Sequence, residues 1–238
     1  MSKDITEIVA DLVSLLTFEF NAKSSTPDGL NFVLETCNTY WLRPCKSVTI
    51  KIGGLDYLYK IEALTIDESI TLKPIGHAQD PGPGDLFTIP APLFRHGTAR
   101  KINTELTKIK QRNKAPFIWL FEVIEETYKG NKQDPLERET PLRLFFFDEA
   151  DPNNMLTEDH YTEVIRPLRN LVFAFIDKIK ANPGLFDPET ENKIGYLPDW
   201  GQFNSVKGFE KKILDENWSG VELKKTLKIF KNKVCKPC

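Results

Sequence analysis

The sequence predicts an α+β fold: a small mixed or antiparallel sheet flanked by helices, with a β-rich domain inserted after the first helix. Three observations carry this. Apolar residues recur at intervals of three and four near the N-terminus and again across 157–180, the mark of helices with one buried face. Between about 30 and 75, short runs rich in β-branched and aromatic residues alternate with polar ones, the mark of strands. The stretch GHAQDPGPGD, with prolines and glycines in close succession, then separates the β-rich stretch from the C-terminal part of the chain.

Taken in order, Ile5, Ile8, Val9, Leu12, Leu15 and Leu16 form the apolar face of a first helix, which NAKSSTPDG breaks. KSVTIKI, LDYLYKIEAL and ESITLKPI read as antiparallel strands, with Gly53-Gly54 as a hairpin turn. FTIPAPLFRHG is extended and punctuated by proline. Thr98 is placed to cap a helix carrying Ile102, Leu106 and Ile109, which Pro116 ends. FIWLFEVIEETY and LRLFFFDEA are core strands, and the polar KGNKQDPLERETP between them reads as a mobile loop. Thr157 offers an N-cap, with Glu158 and Asp159 in a first turn that suits acids. The helix buries Tyr161, Val164, Ile165, Leu168, Leu171, Val172, Phe175, Ile176 and Ile179. Pro167 should kink it or split off its first turns, and Asn182-Pro183-Gly184 stops it. IGYLPDWGQF reads as a loop, and KKILDEN and VELKKTLKIF as two strands around Asn217-Trp218-Ser219-Gly220. The core order expected is helix, helix, strand, strand, helix, strand, strand. The domains expected are 1–19 with 93–232 as the α/β core, 20–92 as the insertion, and 233–238 as a flexible tail.

At 238 residues, 40% hydrophobic and 28% charged, the chain can bury a real core, and sixteen Phe against two Met favour a well-defined one. A net charge of -2 argues against a dedicated nucleic-acid binder held by broad electrostatics. Lys224, Lys225, Lys228, Lys231, Lys233 and Lys236 make the C-terminal stretch locally basic, read as a solvated strand face and tail. No apolar run approaches the ~20 residues that cross a bilayer, so no membrane partner is expected. The first helix is interrupted by Asp4, Glu7 and Asp11, unlike a signal peptide. A reducing cytoplasm and free thiols are the corresponding expectation for its cysteines.

Several patterns invite chemistry. Cys235 and Cys238 form a CxxC at the end of the chain. A structural zinc takes two short-spaced pairs, and Cys37 and Cys45 lie too far apart to supply the second. A redox CxxC needs a following helix to lower its thiol pKa, and none follows. Pro198-Asp199 with Glu222-Leu223-Lys224 matches the order in which some Mg²⁺ nucleases place two acids and a lysine. The match is short and common by chance. His77, His96 and His160 have no Ser or Cys at nucleophile-elbow spacing. FFFDEAD superficially resembles a helicase acidic box, but no phosphate-binding glycine loop accompanies it, and Asp148, Glu149 and Asp151 read as residues solvating a turn. On these grounds no catalytic, cofactor-binding or metal-binding residue is assigned, no cofactor is expected, and the chain is read as a non-enzyme whose work is done by interfaces.

One series of segments does carry a likeness. In order they are IVADLVSLL, LFRHGTARKINTELTKI, NKAPFIWLFEVIEE, PLRLFFF, YTEVIRPLRNLVFAFIDKI, GYLPDWGQF and WSGVELKKTLKI. The series resembles neck and tail structural proteins of tailed phages and prophages of Bacteroidetes-type hosts, over residues ~1–17 and ~93–230. The architecture is similar to that of tail-terminator proteins. The resemblance implies a virion protein at the neck or top of the tail, made in the host bacterial cytoplasm. It implies a homo-oligomeric ring, a hexamer or dodecamer, with tail-tube, tail-sheath or connector proteins as partners. DNA would pass through the lumen without sequence-specific binding. The insertion and the Cys-Lys-Pro-Cys tail depart from the pattern. A Mg²⁺ nuclease using Asp199 and Glu222, or a non-catalytic host-binding adaptor, are the alternatives.

Overall fold

The computed structural model describes residues 3–21, 24–28, 31–36, 39, 41–44, 46–76, 79–82, 84–109, 116–121, 125–131, 134–150, 156–200, 202–204, 210–212 and 218–230. The protein is α+β, with two mostly antiparallel sheets and few helices. It divides into two compact units, one of Met1–Leu15 with Pro92–Cys238 and the other of Leu16–Ala91.

Helix α1 (Ile5–Ser14) opens the chain. Asp4 accepts from the Thr6 N–H while Glu7 reaches back to the Asp4 N–H, so two of the helix's orphan donors are satisfied at once. Ile5, Ile8, Val9, Leu12 and Val13 are buried, whereas Leu15 lies past the end of the helix and is exposed. The apolar repeat therefore outruns the helix.

The Leu16–Ala91 unit is a seven-stranded antiparallel sheet built of β1 (Phe18–Asn21), β2 (Ser24–Asp28), β3 (Asn31–Glu35), β4 (Ser47–Ile52), β5 (Leu55–Thr65), β6 (Ser69–Pro74) and β7 (Leu86–Ile89). Its order is β1-β7-β4-β5-β6-β3-β2. Burial alternates along each central strand: Val48 and Ile50, Tyr59 and Ile61, Ile70 and Leu72, Phe87 and Ile89 all point inward. Gly53 and Gly54 join Ile52 to Leu55 as a two-residue turn with both φ values positive, the geometry that matches strand twist and that glycine adopts without strain.

The other unit centres on a sheet of order β12-β15-β11-β9-β8, with β10 paired to β11. The strands are β8 (Leu93–Gly97), β9 (Phe117–Phe121), β10 (Thr127–Asn131), β11 (Asp134–Glu149), β12 (Asn192–Trp200) and β15 (Trp218–Phe230); β13 (Gln202–Asn204) and β14 (Glu210–Lys212) make a separate hairpin. Only β8 and β9 run parallel, connected through α2 (Ala99–Leu106). On one face, Ile102 and Leu106 of α2 pack with Phe117, Trp119, Phe145, Phe147 and Trp218. On the other lies the split helix 157–180. It comprises α3 (Thr157–His160), a π-helical turn (Tyr161–Ile165) and α4 (Arg166–Lys180), with the Phe175 ring edge-on to Phe146 and α1 against α4. Phe146 and Phe147 thus serve opposite faces of the sheet.

Pro167 does split the helix. It has no N–H to give the Glu163 carbonyl, and just before it the ladder widens, the Arg166 N–H reaching Tyr161 five residues back. Thr157 lies inside the helix rather than at its cap. Leu156 takes that position without a side-chain hydrogen bond, and Thr98, although at the N-cap of α2, makes none either. Helix α2 ends at Leu106, well before Pro116.

Three loop readings are corrected. The segment 129–141 forms a β10/β11 hairpin, with Lys129 paired to Glu137 in register and its ammonium 2.6 Å from Glu139. The segment containing IGYLPDW is an edge strand, β12, its glycine and proline tolerated because its outer edge pairs with no strand among the described residues. Trp218, Ser219 and Gly220 belong to β15, opposite Glu149, Asp148 and Phe147, rather than to a turn. The order of this unit is therefore helix, strand, helix, strand, a long hairpin, split helix, then strands. Asp148 is buried at 2% exposure and does not solvate a turn.

Candidate functional site

The longest strand pair decides where a site can lie. Of β15, Trp218, Gly220, Glu222 and Lys224 face α2, while Ser219, Val221, Leu223 and Lys225 face α4. The first six residues of the strand are all buried, and beyond Leu223 burial alternates, because α2 covers only one end of its face. The uncovered part of that face holds a depression of about 650 Å³, lined by residues including Phe121, Arg143, Lys193 and Lys224.

Register places Lys193 of β12 directly opposite Lys224 of β15, and Lys224 directly opposite Arg143 of β11. Three cations thus form one row across three strands, with Phe121 of β9 at its end. Like charges at directly opposed positions repel. Glu222 partly offsets this: its carboxylate pairs with the Arg143 guanidinium, and Lys224 Nζ lies 3.4 Å from its other oxygen. Glu222 itself is withdrawn, its side chain only 10% exposed, whereas those of Arg143, Lys224 and Lys193 are 47%, 54% and 68% exposed. The acid sits beneath and the cations face outward. Glu191 approaches Lys193 at 3.5 Å, but both are open to water, where such pairs contribute little. The Arg143 guanidinium carbon lies 5.0 Å from the Phe145 ring centroid and 5.5 Å from that of Phe121, within cation–π range of both. Further along the same face, Lys129 and Lys228 flank Glu139 at 2.6 and 3.6 Å, so that part of the sheet alternates in sign in the ordinary way.

Lys225, read as part of a solvated basic face, turns inward instead. It is 3% exposed, and its ammonium donates to the Thr190 carbonyl at 3.0 Å. Burial pushes its pKa down, Asp187 pulls it back up, and Lys180 lowers it further.

The two acids of the nuclease pattern lie on neighbouring strands, β12 and β15. Glu222 stands opposite Gly195, and Asp199 lies four residues further along β12, beyond a register shift. The Asp199 side chain lies outside the described residues. No cluster of three or more potential metal ligands occurs among the described residues. Of the histidines, His96 is exposed on β8, and His77 lies outside the described residues. His160 reaches Ser219, Nε2 to Oγ at 2.8 Å, and Ser219 is the cross-strand partner of Asp148. All three residue types of a hydrolytic triad are near one another here, but Ser219 is fully buried and cannot meet a substrate. The contact ties the start of the split helix to the sheet. Cys37, Cys45, Asp151, Lys231, Lys233 and the Cys235–Cys238 tail lie outside the described residues. No helix among the described residues is long and apolar enough to cross a membrane.

No family model, curated protein or solved structure matches the chain. The functional reading therefore rests on the residues themselves. Sequence reasoning singled out Glu222 and Lys224 but missed Arg143 and Lys193. Their alignment is a matter of strand register, and β12 was read as a loop. The available signal was the alternation of Lys193 with Gly195, and of Arg143 with Phe145, on period-two positions.

Proposed function

We propose that the protein is a structural subunit of a tailed-phage virion, with a tail-terminator-like core. It would assemble as a hexameric or dodecameric ring at the neck or top of the tail, in a tail-terminator or head–tail joining role. The ring would pass DNA through its lumen and meet tail-tube, tail-sheath or connector proteins. The order of segments similar to those proteins supports the reading. The observation that carries the assembly part is on the outer face of the split helix. Its inner side, from Pro167 to Ile179, is buried, yet the outer side exposes Tyr161 and Phe173, at 45% and 42%. Arg169 lies between them, its guanidinium 5.5 Å from the Phe173 ring and 3.4 Å from the Tyr161 hydroxyl. Tyr, Phe and Arg held against one another on a surface have the composition of interface centres, where few residues carry most of the binding energy.

The test is Phe173→Glu, examined by light scattering beside the parent protein. The parent should have the mass of a ring and the variant should dissociate toward the 27.3 kDa subunit without losing its circular-dichroism spectrum. A parent protein that is monomeric at every concentration defeats the proposal.

A further inference from the structure

We propose that the π turn at Tyr161–Ile165 sets the register of the assembly face, and that His160 is the positioning residue that locks it. An α-helix advances about 100° per residue, so in an unbroken helix Tyr161 would point about 80° away from Arg169 and about 120° away from Phe173. The Arg166 N–H reaches the Tyr161 carbonyl, five residues back rather than four, so this turn holds one residue more than an α turn. That residue takes up about one step of rotation, which brings Tyr161 within about 20° of both Arg169 and Phe173. The contacts agree: the Arg169 guanidinium lies 3.4 Å from the Tyr161 hydroxyl and 5.5 Å from the Phe173 ring. The exposed Tyr–Arg–Phe stripe exists because of the turn.

The same step acts on the residue before. It puts His160 in phase with the buried Leu168 and Val172, and so aims it at the sheet, where its Nε2 meets the Ser219 Oγ at 2.8 Å. An outward contact and an inward one thus fit the same extra residue. Pro167 sustains it, having no N–H with which the Glu163 carbonyl could close an unbroken α ladder. α3 is otherwise poorly held. None of its four residues is buried, and its N-cap, Leu156, makes no side-chain hydrogen bond and is 75% exposed. A single helical turn is unfavourable on its own, so α3 keeps its phase through His160. The inference deepens the proposed ring contact by naming what sets its geometry. It rests on that reading for what the face meets, a second copy of this chain.

The experiment is hydrogen–deuterium exchange of the full chain, read by mass spectrometry, with light scattering on the same samples. His160→Ala removes the lock but brings in a better helix former, so propensity alone predicts slower exchange. The account predicts the reverse: exchange about ten-fold faster over 157–166, with 171–180 unchanged, and half-dissociation of the ring at about ten-fold higher concentration. His160→Gln, whose amide still reaches the Ser219 hydroxyl, should stay within about three-fold of the parent in both readouts. Deleting Thr162, exposed in the turn, removes the extra residue. Tyr161 then stands about 700° from Arg169 in an ordinary α-helix, the phase is kept, and both readouts should match the parent. Parent-like exchange in His160→Ala overturns the proposal. So does His160→Gln exchanging as fast as His160→Ala, or a deletion that frees 157–161 while 171–180 stays protected. A monomeric parent defeats the ring alone, because exchange reads the lock in whichever species is present.

Discussion

The two units solve the same problem, burying a sheet, in different ways. In Leu16–Ala91 the central strands hide one face and show the other, so β4 and β6 both read half-buried, buried, half-buried, buried, then exposed. In the other unit, helices lie on both faces, and β15 begins with six consecutive buried residues before it alternates. The difference teaches where function can be placed. A sheet covered on both sides leaves room for a surface site only where one cover stops, and the cation row begins two residues past the buried Glu222.

The sharpest way to break the doubly covered region is at Gly220. A Cβ there would come within 2.4 and 2.5 Å of the Phe147 ring and 2.9 Å of the Phe146 carbonyl oxygen. The ring packs among Phe117, Trp119 and Phe145. Gly220→Ala should therefore remove about 3 kcal/mol, the upper part of the range for overpacking, because a backbone oxygen cannot swing aside. A urea melt reads this directly. Gly195→Ala on the neighbouring strand, where the new Cβ would sit at an ordinary 3.6 Å from Glu222, should change little.

A smaller effect separates the units by the direction of their response to alkali. Tyr59 is fully buried in β5, donates to the Gln79 carbonyl, and has its pKa pushed up to about 12, chiefly by burial and next by Asp80. A raised value in the folded state means the contribution to stability is intact below pH 10 and is lost as pH rises toward about 12. Lys225 runs the other way. Its folded value lies below 10.5, so the ionised side chain carries a penalty at neutral pH that is relieved as pH rises toward 10.5. Tyr59→Phe should flatten the alkaline loss at a cost of about 1 kcal/mol for the hydrogen bond. Lys225→Met should remove the alkaline gain, with a change at neutral pH within about 1 kcal/mol of zero. Denaturant melts of each variant across that pH range check both, and a parallel response in the two variants would show that the units do not differ as described.

The same contrast explains which elements were legible in the sequence. β4, β5 and β6, and the turn at Gly53-Gly54, could be read because one exposed face leaves a period-two pattern in the residues. The π turn before Pro167 was legible as a break because proline removes a donor wherever it stands. β12 was not, since Gly195 and Pro198 are turn signals that an edge position overrides. The β10/β11 hairpin was hidden by its polarity, being held by Lys129, Glu139 and Lys228 rather than by an apolar face. The cation row could not be read at all, because opposition of Lys193, Lys224 and Arg143 is set by pairing between strands far apart in the chain.

The assembly claim is tested most directly by native mass spectrometry of the unmodified protein. The account predicts a species of six or twelve times the 27.3 kDa subunit; a sharp 27.3 kDa monomer, unchanged as concentration rises, would contradict it.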